Sequence, residues 1–158
     1  MASSEKNLSA VTVKGSVNLS KSKFGILISE WNNEITEALY EGAVATLLER
    51  GVKKSNIIKK YVPGSFELSL GAQWLAEIED IDAVICLGCI IKGETPHFDY
   101  ICQAVANGIT NVGLKYNKPV IFGVLTTLNK QQALDRAGGK HGNKGDEAAA
   151  TAINMLAF

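Results

Sequence analysis

Gly88-Cys89-Ile90-Ile91-Lys92-Gly93-Glu94-Thr95-Pro96-His97-Phe98-Asp99-Tyr100 begins at the end of the most apolar run in the chain, Ala83 to Ile91. That run is short, partly β-branched and bounded by Asp82 and Lys92, as a buried parallel strand is. It breaks at Lys92-Gly93 and restarts as a helix. Thr95 suits an N-cap, and Pro96 suits the first helical position, where a missing N–H costs nothing. A buried strand therefore delivers its carboxyl end to a short loop and a helix start. Open α/β sheets bind ligands at such places, and free helix N–H groups favour anions there. His97 lies in that first turn. The stretch reads as an active-site corner.

The same grammar repeats on either side. Phe24 to Ser29 reads as a strand, followed by a helix capped by Asn32 or Asn33 and running to Arg50, with Gly51 as its stop. Asn56 to Val62 reads as a second strand, Pro63-Gly64 turns the chain, and a helix is expected from about Phe66 to Glu79. After the helix from Thr95 to about Lys115, Pro119 opens a strand, Val120 to Leu125. Helices over Lys130–Ala137 and about Asp146–Leu156 close the chain, with a Gly-rich basic loop, Gly138 to Gly145, between them. Four strand–helix alternations with long crossovers predict an α/β fold, a parallel sheet between two helical layers. Residues 1–22 are polar, and Val11-Thr12-Val13 within them reads either as part of a disordered tail or as an edge strand that needs a partner. Residues 23–158 read as one domain.

The bulk composition narrows the function. With 158 residues, 46% of them hydrophobic and 20% charged, the chain supports one domain with a real core. Sixteen basic and sixteen acidic side chains leave no net charge, which argues against nucleic acid or a membrane surface as the partner. No apolar run approaches the roughly 18 residues of a membrane span, and Met1 to Lys6 is unlike a signal peptide. Three cysteines, none in a framework pattern, fit a reducing cytoplasm.

Several motifs have a plainer reading than the chemistry they suggest. Gly88 to Thr95 has the order of a phosphate-binding loop, but Glu94 stands where the required Lys would be. Cys86 and Cys89 are three apart on a strand and so face opposite ways, which makes them buried thiols rather than a redox or zinc pair. Cys102 and His141 read as structural and surface residues. Trp74, in mid-helix, is expected in the core or an interface.

Other residues point to a ligand. Trp31, at the mouth of the first strand, offers an aromatic face to a planar heterocycle. Ser65, Phe66 and Glu67 follow the second strand at another helix start, where Glu67 suits a ligand's hydroxyls. Arg136, Lys140, His141 and Lys144 gather beside glycines, a composition suited to a phosphate.

Taken together, Glu30-Trp31-Asn32, Val62 to Glu67, Gly88 to Tyr100, Val120 to Thr126, Gln132 to Gly138 and Gly142 to Gly145 resemble the 6,7-dimethyl-8-ribityllumazine synthase family of riboflavin biosynthesis. The resemblance covers about Phe24 to Leu156. It implies a flavodoxin-like sandwich and a transferase that condenses 5-amino-6-(D-ribitylamino)uracil with 3,4-dihydroxy-2-butanone 4-phosphate, without metal or cofactor. It implies that Trp31 stacks on the pyrimidine, that Ser65, Phe66 and Glu67 hold the ribityl chain with Asn32 nearby, and that Cys89, Ile90 and Ile91 meet the pyrimidine edge. Glu94 and Thr95 are then expected at the phosphate-bearing substrate, His97 as the proton-transfer group and Arg136 on the phosphate. Phe122 is expected to close the pocket from a neighbouring subunit, with Lys144 and Glu147 forming an ion pair nearby.

The resemblance further implies pentamers with the site between subunits, and riboflavin synthase as a partner. The short Gly138–Gly145 loop is similar to that of members that build a shell of twelve pentamers, and Val11–Val13 would add a strand to a neighbour's sheet. Lys92 stands where many members have Arg, which keeps the charge and loses the fork. The competing expectation is a catalytically silent flavin- or lumazine-binding shell protein; it predicts loss of His97 or Arg136, and both are present.

Overall fold

A computed structural model describes residues 18–158; Val11–Val13 and the rest of the tail before them lie outside the described residues. Four strands, β1 (Phe24–Ser29), β2 (Ile57–Val62), β3 (Ala83–Ile91) and β4 (Val120–Thr127), form one sheet in the order β2-β1-β3-β4. Every pairing in it is parallel. α1 (Asn33–Glu49) and α5 (Lys144–Leu156) cover one face, and α2 (Leu68–Glu77) and α3 (His97–Tyr116) cover the other. The expected three-layer sandwich is present.

Strand periodicity divides the core in two. Phe24, Ile26 and Ile28 of β1 pack with Leu39, Leu47 and Ile153 on the α1/α5 side. Leu27 points the other way, to Leu68, Leu75 and Ile109 under α2 and α3. β3 alternates in the same way, with Ile85, Leu87 and Cys89 on the first side and Val84 and Cys86 on the second. Each fully buried aliphatic side chain of this kind contributes about 1.5–3 kcal/mol. The alternation also settles the cysteines: Cys86 and Cys89 belong to opposite cores. Burial pushes their thiols up to about 12 and about 11, so neither supplies a thiolate near neutrality.

The two central strands are buried and the edges are not. On β2 the edge is dressed with charge: Lys59 pairs with Glu37 at 2.8 Å and sits 3.9 Å from the Tyr40 ring centroid. Trp74 lies outside the core, 59% exposed on the outer side of α2 beside Leu70 and Ile78.

Boundaries move where capping chemistry differs from the sequence expectation. α3 starts at His97 rather than Thr95, with Pro96 as its N-cap, whose carbonyl accepts from the Asp99 N–H at 3.0 Å. A 3₁₀ turn over Ser65–Glu67 precedes α2. The helix expected to reach Ala137 stops early, as α4 (Lys130–Leu134), and β5 (Ala137–Gly139) and β6 (Gly142–Asn143) make a small antiparallel hairpin from the Gly-rich loop. Gly138 and Gly142 carry φ of 107° and 73°, which only glycine adopts at little cost, and the His141 N–H donates to the Asp135 carbonyl at 2.8 Å to close the turn. α5 begins two residues earlier than expected because the Asn143 side chain accepts from the Gly145 N–H at 2.8 Å.

Candidate functional site

The carboxyl ends of β1, β2 and β3 form one continuous surface. Backbone pairing continues past β1: the Glu30 N–H donates to the Val62 carbonyl at 2.9 Å and that of Trp31 to the Pro63 carbonyl at 3.2 Å. Asn32 then takes a left-handed conformation, φ 61°. It does not cap α1 with its side chain. Its amide donates instead to the Cys89 carbonyl at 3.0 Å, tying the mouth of β1 to that of β3. The turn leaves Trp31 73% exposed, its ring available for stacking.

Beside it, the Gly64 N–H donates to Glu67 Oε2 at 3.1 Å, which fixes the carboxylate at the helix start. Phe66 is exposed, whereas Ser65 is buried with its hydroxyl unpartnered. Ser65 faces Gly88 so closely that a Cβ there would stand 2.7 Å from Ser65 Oγ and 2.9 Å from Leu68 Cδ1. Gly88→Ala is therefore expected to push the Ser65–Glu67 turn outward, at a cost of about 1–3 kcal/mol. The check is a lowered melting midpoint together with weakened binding of whatever the turn holds; an unchanged protein would show that the turn yields freely.

Beyond β3, Ile90 and Ile91 are half-buried, and Glu94, Thr95 and His97 are exposed. The His97 ring has no hydrogen-bond or ion-pair partner among the described residues, so both nitrogens are free to meet a ligand at the start of α3.

The remaining predicted residues gather elsewhere. An open groove of about 1130 Å³ follows β4 between α3 and α5, and Phe122, Arg136, Lys144 and Glu147 line it. Arg136 Nη1 donates to the Gln132 carbonyl at 3.0 Å. Gln132 is held in turn by two contacts, its N–H on Asn129 Oδ1 at 2.9 Å and its side-chain oxygen on the Leu128 N–H at 3.0 Å. This reciprocal cap fixes α4 and with it the guanidinium. Sequence reading missed it, although Asn129-x-x-Gln132 carries the capping-box spacing. Lys144 forms the expected ion pair with Glu147, both largely buried.

Lys140 is not part of this group: it pairs with Asp135 at 3.1 Å. Hydrogen bonds from Gln131 and Lys140 hold the Asp135 carboxyl below its ordinary value. Trp31, Ser65, Phe66, Glu67 and His97 do not line the groove. The candidate residues thus fall in two places: the mouths of β1 to β3, with an exposed indole, a carboxylate and an unpartnered imidazole, and a cationic groove with an aromatic lip.

Asp146, beside Glu147, has its carboxyl raised, first by burial and then by Glu49 and Glu147. A raised folded value means that the stability is present below the ordinary carboxylate range and is lost as pH rises through the folded value. Asp146→Asn is expected to raise the melting midpoint at neutral pH, and the gain to shrink below about pH 4, near the ordinary aspartate value. A gain of equal size at both pH values would assign it to another cause.

Among the described residues no three His, Cys, Asp or Glu side chains cluster as metal ligands, and no helix is long and apolar enough to cross a membrane.

Known proteins share this sequence along nearly its whole length. Residues 21–158 match the family model described as 6,7-dimethyl-8-ribityllumazine synthase. A protein of that name from Cytophaga hutchinsonii is 68% identical over 158 residues, covering 99% of this chain and 98% of its own. The one from Parabacteroides distasonis is 54% identical, covering 100% and 99%. The one from Bacteroides fragilis is 57% identical over 136 residues, covering 86% and 95%.

Proposed function

Because the chain belongs to the 6,7-dimethyl-8-ribityllumazine synthase family, we propose that its two half-sites, brought together from neighbouring copies, condense 5-amino-6-(D-ribitylamino)uracil with 3,4-dihydroxy-2-butanone 4-phosphate. The protein is a transferase of riboflavin biosynthesis, and each half-site has its own part in the reaction. Trp31 stacks on the pyrimidine, whose edge meets the backbone of Cys89 to Ile91. The carbonyl of Cys89 is already engaged by Asn32, so Asn32 holds that edge in place rather than touching the ring. Ser65, Phe66 and Glu67 receive the ribityl chain; Glu67 supplies an acceptor, Phe66 an apolar wall and Ser65, whose hydroxyl is enclosed, its backbone.

The phosphate-bearing substrate lies over Glu94 and Thr95 at the start of α3, and Arg136 of a neighbour, with Lys144 beside it, neutralises the phosphate. A pyrimidine amine attacks the ketone carbon, and water leaves as the imine forms. His97 moves protons while the imine rearranges and the phosphate is eliminated, which turns the carbon bearing the C3 hydroxyl into a new carbonyl; attack of the ribitylamino nitrogen on that carbonyl, with loss of a second water, closes the new ring. Phosphate departure is favoured by two cations held in place by Gln132 and Glu147, which need little reorganisation as charge develops. Phe122 shuts the pocket from the neighbour's side.

The observation that carries this reading is the separation of the phosphate-binding half from the imidazole-bearing half. A site divided in this way calls for self-association, and pentamers are the assembly the family resemblance implies; the tight β5–β6 turn favours a shell of twelve such pentamers. Val11–Val13 adding a strand to a neighbour's sheet, riboflavin synthase as a companion, and a cytoplasmic location belong to the same reading.

The test is a two-substrate assay on the purified chain that follows lumazine fluorescence and phosphate release together. Equal amounts of the two products are expected. Pyrimidine binding without turnover would favour the silent shell protein instead.

A further inference from the structure

Three buried hydroxyls among the described residues have no hydrogen-bond partner: Ser29, Ser65 and Thr127. All three lie at the carboxyl end of the sheet, where substrate is bound, and none in the body of the core. Unpaired buried polar groups are rare in folded proteins and mark places where water or a ligand completes the bonding. Thr127 falls on the α1/α5 side, level with Ile91. Ser29 and Ser65 fall together on the other.

The register fixes the relation between these two. Ile28 pairs with Leu87, so the next step along both strands puts Ser29 beside Gly88. Leu27 and Cys86 belong to the α2/α3 core, and two residues further along each strand bring Ser29 and Gly88 to the same face. Ser65 comes to Gly88 from above, its Oγ 2.7 Å from where a Cβ would be. A glycine without a side chain therefore lies between two enclosed hydroxyls. Ser29 cannot swing away, because Thr36 Oγ1 donates to its carbonyl at 2.9 Å and the residue is fully buried.

We propose that Ser29 is a positioning residue: its hydroxyl and that of Ser65 share one buried water beside Gly88, and this water pins the Ser65–Glu67 turn that presents Glu67 to the ribityl chain. Ser29 does not touch substrate. It acts through Ser65, so the proposal rests on the Ser65–Glu67 turn holding the ribityl chain. A water in such a place needs at least two polar partners, and the two hydroxyls provide them.

The test is a double-mutant cycle with Ser29→Ala, Ser65→Ala and the pair, reading KM for each substrate and kcat. Ser29→Ala is expected to raise KM for the ribitylaminopyrimidine about 3- to 10-fold, the worth of one hydrogen bond, with KM for the phosphate substrate unchanged. In the Ser65→Ala background the same change is expected to do nothing. A crystal structure of the free enzyme is expected to show a water within hydrogen-bond distance of both oxygens in the parent and none in Ser29→Ala.

A purely structural hydroxyl gives a different pattern: a more stable Ser29→Ala protein with both KM values unmoved, or equal shifts in both backgrounds. Either result, or a parent crystal with no such water, overturns the proposal. Should Glu67→Ala leave pyrimidine KM unchanged, the ribityl assignment falls as well; should only Ser29→Ala fail, that assignment stands.

Discussion

His97→Ala is expected to lose about 10²- to 10⁴-fold in kcat, the range for a positioned general acid or base, while both substrates still saturate the enzyme at similar concentrations. The side chain is exposed at the first position of α3 and has no hydrogen-bond or ion-pair partner among the described residues, so its removal opens no cavity and orphans no partner. Any loss is therefore chemical. Gly88→Ala behaves differently, because that change acts on binding and stability through the displaced Ser65 turn. Stopped-flow measurement with both substrates in excess separates the two. A loss of only a few-fold in His97→Ala, with an unchanged melting midpoint, would remove proton transfer from this residue.

The sheet was legible because its strands obey simple rules. β3 is a continuous apolar run bounded by charge, and in the sequence it reads as the buried central strand it is. The cysteine pair was legible for the same reason: a period of two sends Cys86 and Cys89 to opposite cores. What escaped were contacts between residues distant in the chain. Asn32 looks like a cap, but its side chain is drawn to Cys89, 57 positions away, and nothing near Asn32 announces that. Trp74 was expected in the core or an interface; the outer side of α2 carries it, which removes the first of these. Lys140 looks like a member of the anion cluster until its pairing with Asp135 is visible.

The site residues divide along the same line. Those at β1, β2 and β3 were expected together because strand mouths in a parallel sheet converge, and they do converge. Arg136, Lys144 and Phe122, expected at the same site, line a groove elsewhere in the chain. Local sequence carries residue type and spacing but not which copy of a chain faces which. The family resemblance supplied that expectation; in the fold, it corresponds to a groove that the imidazole does not line.

That division has a direct consequence for mixed assemblies. His97→Ala and Arg136→Ala are each expected to be nearly inactive alone, the first for lack of proton transfer and the second for lack of phosphate binding. Co-assembled from chains carrying one defect each, they are expected to recover activity. If each site takes His97 from one copy and Arg136 from the next around a ring, random mixing leaves about a quarter of the sites with both groups intact. Activity per site in a mixed preparation, purified through two different tags, should approach that fraction of the unmutated enzyme. A control pairing of Arg136→Ala with Lys144→Ala removes groups of the same half-site and should recover less, because every groove would lack one of its cations. Should the His97 and Arg136 mixture show no more activity than the sum of its parents, the two groups would have to act within one chain. The groove along β4 would then need another occupant than a neighbour's strand mouths.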